Sequence, residues 1–144
     1  MLPFRLLYIF SDFVYLIVYY VIGYRKKTVR ENLALALPHL SATERLDIEK
    51  KSFQHLCDMF LEMIKTMTIS KKEINKRFVF PNLEVYQKLE EQNKSIAMML
   101  AHYASYEWVI SMNYYVKFGA LEKKKKIANP YFDKLVRDIR SRFK

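Results

Sequence analysis

The sequence predicts an α/β chain: an N-terminal membrane helix, a helical segment, and then an α/β domain. Three observations predict it. Residues 6–24, LLYIFSDFVYLIVYYVIGY, form an apolar run with one charge, Asp12. Helix-start signals recur from Thr28 to Asn129. Between them lies SIAMML, residues 95–100, a short continuous apolar run bounded by a polar turn and His102. Such a run reads as a buried strand. With only two glycines and four prolines, the composition argues against a loop-rich all-β fold.

The apolar run is close to the ~20 residues a helix needs to cross a bilayer. Arg25, Lys26 and Lys27 follow it at once, and basic flanks of apolar spans tend to stay in the cytoplasm. The expectation is a membrane anchor helix with its basic flank over residues 1–27 and a cytoplasmic body over 28–144. No small-residue cleavage site follows the run, so a removed signal peptide fits poorly. A buried or interfacial helix is the other reading, and Asp12 keeps it open.

Helices are then placed by their caps. Thr28-Val-Arg-Glu31 has the form of a capping box, and Pro38 stops the helix it opens. Ser41-Ala-Thr-Glu44 is a second box, opening a long helix with apolar positions at Leu46, Phe53, Leu56, Phe60, Ile64 and Met67. Ser70-Lys-Lys-Glu73 is a third. RFVF, 77–80, reads as a brief strand ended by Pro81. Asn82 is placed to cap the next helix, and Asn93 to close it. After the strand at 95–100, SYEWVISMNYYVKF reads as a helix with Ser105 as N-cap. Asn129-Pro130 starts the last one, with proline at its first position.

The net charge of +10 favours an acidic partner: an anionic membrane surface, an acidic protein or nucleic acid. The apolar N-terminus and the lack of a helix-turn-helix, zinc or RNA-binding motif weigh against nucleic acid. The single cysteine, Cys57, excludes an internal disulfide framework. It stands two residues from His55 on a predicted helix, about 200° away around the axis, so the two do not make a metal site. Neither a metal nor another cofactor is expected.

The chemistry-bearing candidates are His102 and Glu107. In one regular helix, five residues would set them about 140° apart, and they would not meet. A strand ending at His102, a turn, and a helix starting near Ser105 would bring the carboxylate back towards the imidazole. A carboxylate accepting the Nδ1 hydrogen fixes the tautomer and leaves Nε2 as a base able to activate an attacking alcohol. The plain alternative is a helix-capping glutamate beside a surface histidine.

Four stretches resemble one family, the lauroyl/myristoyl transferases of lipid A biosynthesis. RKKTVRENLALALPHLSATER is similar to the family's Arg-x-x-Val-x-x-Asn-Leu segment ending in proline. FQHLCDMFLEMIK is similar to its long helix with a glutamate, and LAHYASYEW to its His-x4-Asp/Glu block. NPYFDKLVRDIRSRF is similar to the segment that follows. The resemblance implies an acyltransferase of the bacterial inner membrane, with its catalytic part on the cytoplasmic side. It would move a fatty acyl group from acyl carrier protein, or acyl-CoA, to a hydroxyl of a lipid A precursor. His102 would be the base, Glu107 its orienting acid, and Arg140 a ligand for phosphate or the thioester oxyanion. A solvated face of a basic helix is the other reading of Arg140. Where the family has Gly-Asn after the histidine block's first residues, Ala104 and Ser105 stand here. The family also continues past residue 144, so the resemblance implies an incomplete acyltransferase α/β domain, weakly active or inactive. FGALEKKKKIA, 118–128, is the least family-like stretch. The rival functional reading is a non-catalytic membrane-associated interaction protein with a basic surface.

Overall fold

A computed structural model describes residues 2–101, 103–117 and 128–143. Within these the chain is helical, and it falls into two compact units, Met1–Glu62 and Met63–Lys144. In chain order the elements are α1 (Phe4–Leu16), a π-helical turn (Ile17–Ile22), α2 (Lys26–Ala36) and α3 (Ala42–Thr66). Then come α4 (Lys71–Arg77), α5 (Leu83–Glu91), a 3₁₀ helix (Tyr106–Tyr114) and α6 (Pro130–Ser141).

The α/β expectation is overturned: among the described residues there is no strand and no sheet. SIAMML is irregular chain rather than a buried strand, with Met99 92% exposed. RFVF does not form a strand either. Arg77 is the last residue of α4, and Phe78 and Phe80 pack ring to ring with Tyr115 beyond them. A strand is stable only when a neighbour takes its N–H and C=O groups, and no described segment offers that edge. An apolar run alone cannot supply it.

Several caps stand as the sequence predicts them. Ser41 and Glu44 form a reciprocal box: Glu44 N donates to Ser41 Oγ at 3.2 Å, and Ser41 N to Glu44 Oε2 at 2.8 Å. Glu73 N donates to Ser70 Oγ at 3.2 Å. Asn93 adopts a left-handed φ of 51° and closes α5. There Asn93 N bonds Glu90 O at 2.9 Å and Lys94 N bonds Leu89 O at 3.2 Å, the paired C-terminal closure that shields the last carbonyls. Thr28 is not a cap. α2 already runs from Lys26, because Gly23 (φ 65°) ends the preceding helix and Arg25 (φ 50°) turns the chain at once. Asn82 makes no side-chain cap bond to α5.

The first unit is organised around buried positions along α3. The predicted stripe is mostly exposed: Leu46, Phe60, Ile64 and Met67 all face outward. The buried positions are Glu49, Phe53, Cys57 and Glu62. Two of those are carboxylates, and each is met by a tyrosine from the N-terminal helix. Tyr8 donates to Glu62 Oε1 at 2.6 Å, and Tyr19 to Glu49 Oε1 at 2.8 Å. Between them Gln54 donates to Asp12 Oδ1 at 2.8 Å, which accounts for the lone charge in the apolar run. The pairings run in opposite chain directions, so the two helices are antiparallel. The Tyr19 ring also meets Phe53 edge-on at 5.3 Å. Arg30 of α2 completes the site at Glu49, with Nε to Oε2 at 2.8 Å and Nη2 to Oε1 at 3.1 Å.

Burial alone would raise the Glu49 carboxyl. The Arg30 and Tyr19 hydrogen bonds, with the charges of Arg30 and Lys26, outweigh it and hold the group below its ordinary value. A carboxyl lowered in the folded state binds its proton less readily there than in the unfolded chain, where its value is about 4.3. Its contribution is therefore fully present above that value and is lost as pH falls through the folded one. Urea unfolding followed from pH 6 to pH 3 should show stability falling over this window, with a shallower fall in Glu49→Gln. An equally steep fall in the variant would contradict the role given to Glu49.

Candidate active site

Glu107 and Arg140 lie on the 3₁₀ helix and on α6, both in the second unit. Each element is fastened to the same short stretch of chain, the end of α3 and the turn after it. Trp108, nearly buried, donates its indole Nε1 to the fully buried Thr66 Oγ1 at 2.9 Å. Arg142, just past α6, donates to the carbonyls of Thr66 and Ile69. α6 starts where Asn129 Oδ1 accepts from Tyr131 N and Phe132 N, at 3.0 and 3.1 Å. It packs Val136 and Ile139 against Met63, with Phe132 and Leu135 at the border. Lys71 sits 4.7 Å above the Tyr114 ring, which in turn lies 5.3 Å from Phe143.

The result is a contact between residues 33 apart in sequence: Arg140 Nη2 donates to both Glu107 oxygens at 3.1 Å. One nitrogen shared by two oxygens is a looser arrangement than the parallel two-bond fork a guanidinium can make with a carboxylate. The pair is sheltered, with side-chain exposures of 20% and 15%. Tyr106 borders it. Burial first, then the charge of Glu107 and the hydrogen bond to it, raise the Tyr106 phenol above its ordinary value, while Arg140 acts in the opposite sense. A carboxylate has about four lone-pair positions, so bonds from a guanidinium and a phenol do not exhaust Glu107 as an acceptor.

Of the three predicted site residues, the structure brings Glu107 and Arg140 together. His102 lies outside the described residues, as does the lysine run within 118–127. Ser105 makes no side-chain cap bond to the helix that follows, and that helix is 3₁₀ throughout its nine residues rather than α. Such a run is long for this geometry. Just before it, Ala104 holds a left-handed φ of 48°. The conformation costs an L-residue with a Cβ roughly 1–2 kcal/mol, and it explains why glycine would be favoured at this turn. Tyr106 escaped the sequence reading because an aromatic beside an acid in a tyrosine-rich chain carries no signal. Arg30 and Glu49 escaped it as well. The one available signal was that Glu49 stands four and eight residues before Phe53 and Cys57, on one helical face. The Cys57 thiol is pushed up by burial and then by the charge of Asp58, which disfavours the thiolate. Among the described residues no three or more His, Cys, Asp or Glu side chains are gathered as a metal site.

A family model for the bacterial lipid A biosynthesis acyltransferases matches residues 1–144. The chain belongs to that family. No curated protein and no solved structure matches it. As a lipid A acyltransferase family member it has a transferase ancestry. It also carries one helix, Phe4–Ile22, long and apolar enough to cross a membrane by length and composition.

The geometry fixes the direction in which Tyr106 responds to its neighbours. Tyrosine ring NMR signals followed through alkaline titration should show Tyr106 ionising above the exposed tyrosines. Glu107→Gln should lower its midpoint and Arg140→Gln should raise it. A downward shift in Arg140→Gln would contradict the arrangement.

Proposed function

We propose that this protein transfers a fatty acyl group from acyl carrier protein, or acyl-CoA, to a hydroxyl of a lipid A precursor at the bacterial inner membrane. The observation that carries this reading is the family match over the whole chain, joined to a sheltered Glu107–Arg140 pair five residues from a histidine.

In this reading the acceptor hydroxyl attacks the thioester carbonyl while His102 takes its proton. The C–O bond forms, the tetrahedral oxyanion collapses, and the C–S bond breaks. The imidazolium returns the proton to the leaving thiolate, so the base is restored and no acyl-enzyme forms. Glu107 keeps the imidazole in the tautomer with Nε2 free to act and stabilises the cation formed midway. Arg140 is a positioning residue for Glu107, and its charge also favours a phosphate or the oxyanion nearby. The excess of basic residues suits both an acidic carrier protein and a phosphorylated acceptor.

A second reading, a non-catalytic membrane-associated protein, draws on the same contact. An ion pair that holds two helices together needs no histidine. A membrane-fraction assay with labelled acyl carrier protein and a tetra-acyl lipid A precursor separates the two. The acyl-transfer reading expects slow transfer that falls about 10²–10⁴-fold in His102→Ala, with a smaller loss in Glu107→Gln. Transfer that survives His102→Ala would contradict the assigned base. Absence of transfer by the unsubstituted chain would favour the second reading.

A further inference from the structure

The outward face of the N-terminal helix is exposed among the described residues. Leu6, Ile9, Phe13, Leu16 and Tyr20 are all exposed along it, and their steps of three and four put them on one side of a helix. The opposite side, with Phe4, Leu7, Ser11 and Tyr19, is buried. The helix is long enough to span a bilayer, but it does not stand alone. It is bonded to α3 at Tyr8–Glu62, Asp12–Gln54 and Tyr19–Glu49. From Tyr8 to Tyr19 the ladder covers about 16 Å of helix axis, at 1.5 Å per residue. A crossing helix would therefore carry this part of α3 to the same depth. α3 holds the buried carboxylates and also the exposed Lys50, Lys51 and His55. Ionisable groups facing hydrocarbon are strongly disfavoured.

Charge identifies the occupant of the bare face. Arg5 is exposed at one end of the helix, and Arg25 and Lys27 are exposed at the other. Cations flanking an apolar face match a lipid surface rich in acidic headgroups. We propose that the N-terminal helix lies in the plane of an anionic bilayer, its exposed face in the acyl boundary and α3 on its water side, and does not cross the membrane. This inference is independent of the chemistry at Glu107.

Nitroxide labels at Leu6→Cys, Phe13→Cys and Tyr20→Cys, each in the full chain with Cys57→Ser, test it in vesicles of phosphatidylethanolamine and phosphatidylglycerol. All three sites are exposed, and the rings that Tyr20 meets, Tyr15 and Tyr19, belong to its own helix. Depth is read by power saturation with oxygen and a nickel chelate. An in-plane helix puts the three labels at one shallow depth, within a few ångströms. A crossing helix puts Phe13 about 10 Å deeper than the other two, from the 1.5 Å rise. The proposal also expects Arg25→Gln and Lys27→Gln to weaken vesicle binding roughly fivefold for each charge removed. It is overturned if Phe13 is the deepest site, or if the labels stay in water because the chain remains unbound or pairs with itself.

Discussion

The buried positions of α3 carry groups that demand hydrogen bonds, and the elements around them are the ones that supply them. Glu49, Glu62 and Thr66 are all withdrawn from solvent. An unmet buried polar group costs more than a good contact returns, so each fixes its partner in place. In the first unit the partners are Tyr19 with Arg30, and Tyr8. In the second, Trp108 and Arg142 meet at Thr66, through its hydroxyl and its carbonyl. Apolar burial adds energy but little direction. The polar anchors decide which turn of which helix sits where.

The candidate site follows from the second of these anchors. Trp108 is one residue from Glu107, and Arg142 is two from Arg140. Pinning both to the end of α3 leaves the carboxylate and the guanidinium within reach of each other. An acyl transfer of the kind proposed needs a base held in one tautomer more than it needs a strong base. A carboxylate already steadied by an arginine and a tyrosine is suited to that task. Ala104, in the turn that precedes it, holds a left-handed φ that a glycine would adopt without strain.

How much of this the sequence announced depends on how local the signal is. The Ser41 and Ser70 caps, the Asn93 closure and the Asn129-Pro130 start are legible because each involves side chain and backbone within a few residues. The strand at 95–100 was misread because strand formation is a property of two segments, and an apolar run describes only one. The α3 stripe was misread for a related reason. Leu46, Phe60 and Ile64 look like core by hydrophobicity, yet the buried positions include two glutamates whose partners lie 30 and 54 residues away. The Arg30–Glu49 contact lies beyond local pattern too, although both residues fall in or beside segments that resemble the family. For the candidate site, His102 and Glu107 are singled out by type and spacing, whereas the Glu107–Arg140 contact depends on packing that no spacing rule contains.

Directional bonds to the buried groups of α3 hold its neighbours in place. A double-mutant cycle on Tyr19→Phe and Glu49→Gln, measured by urea unfolding at neutral pH, tests it most directly. The account predicts a coupling energy of roughly 0.5–3 kcal/mol, the range for residues that share one hydrogen-bond network. Single-variant losses that simply add would mean that the tyrosine and the glutamate do not depend on each other, and would contradict the account.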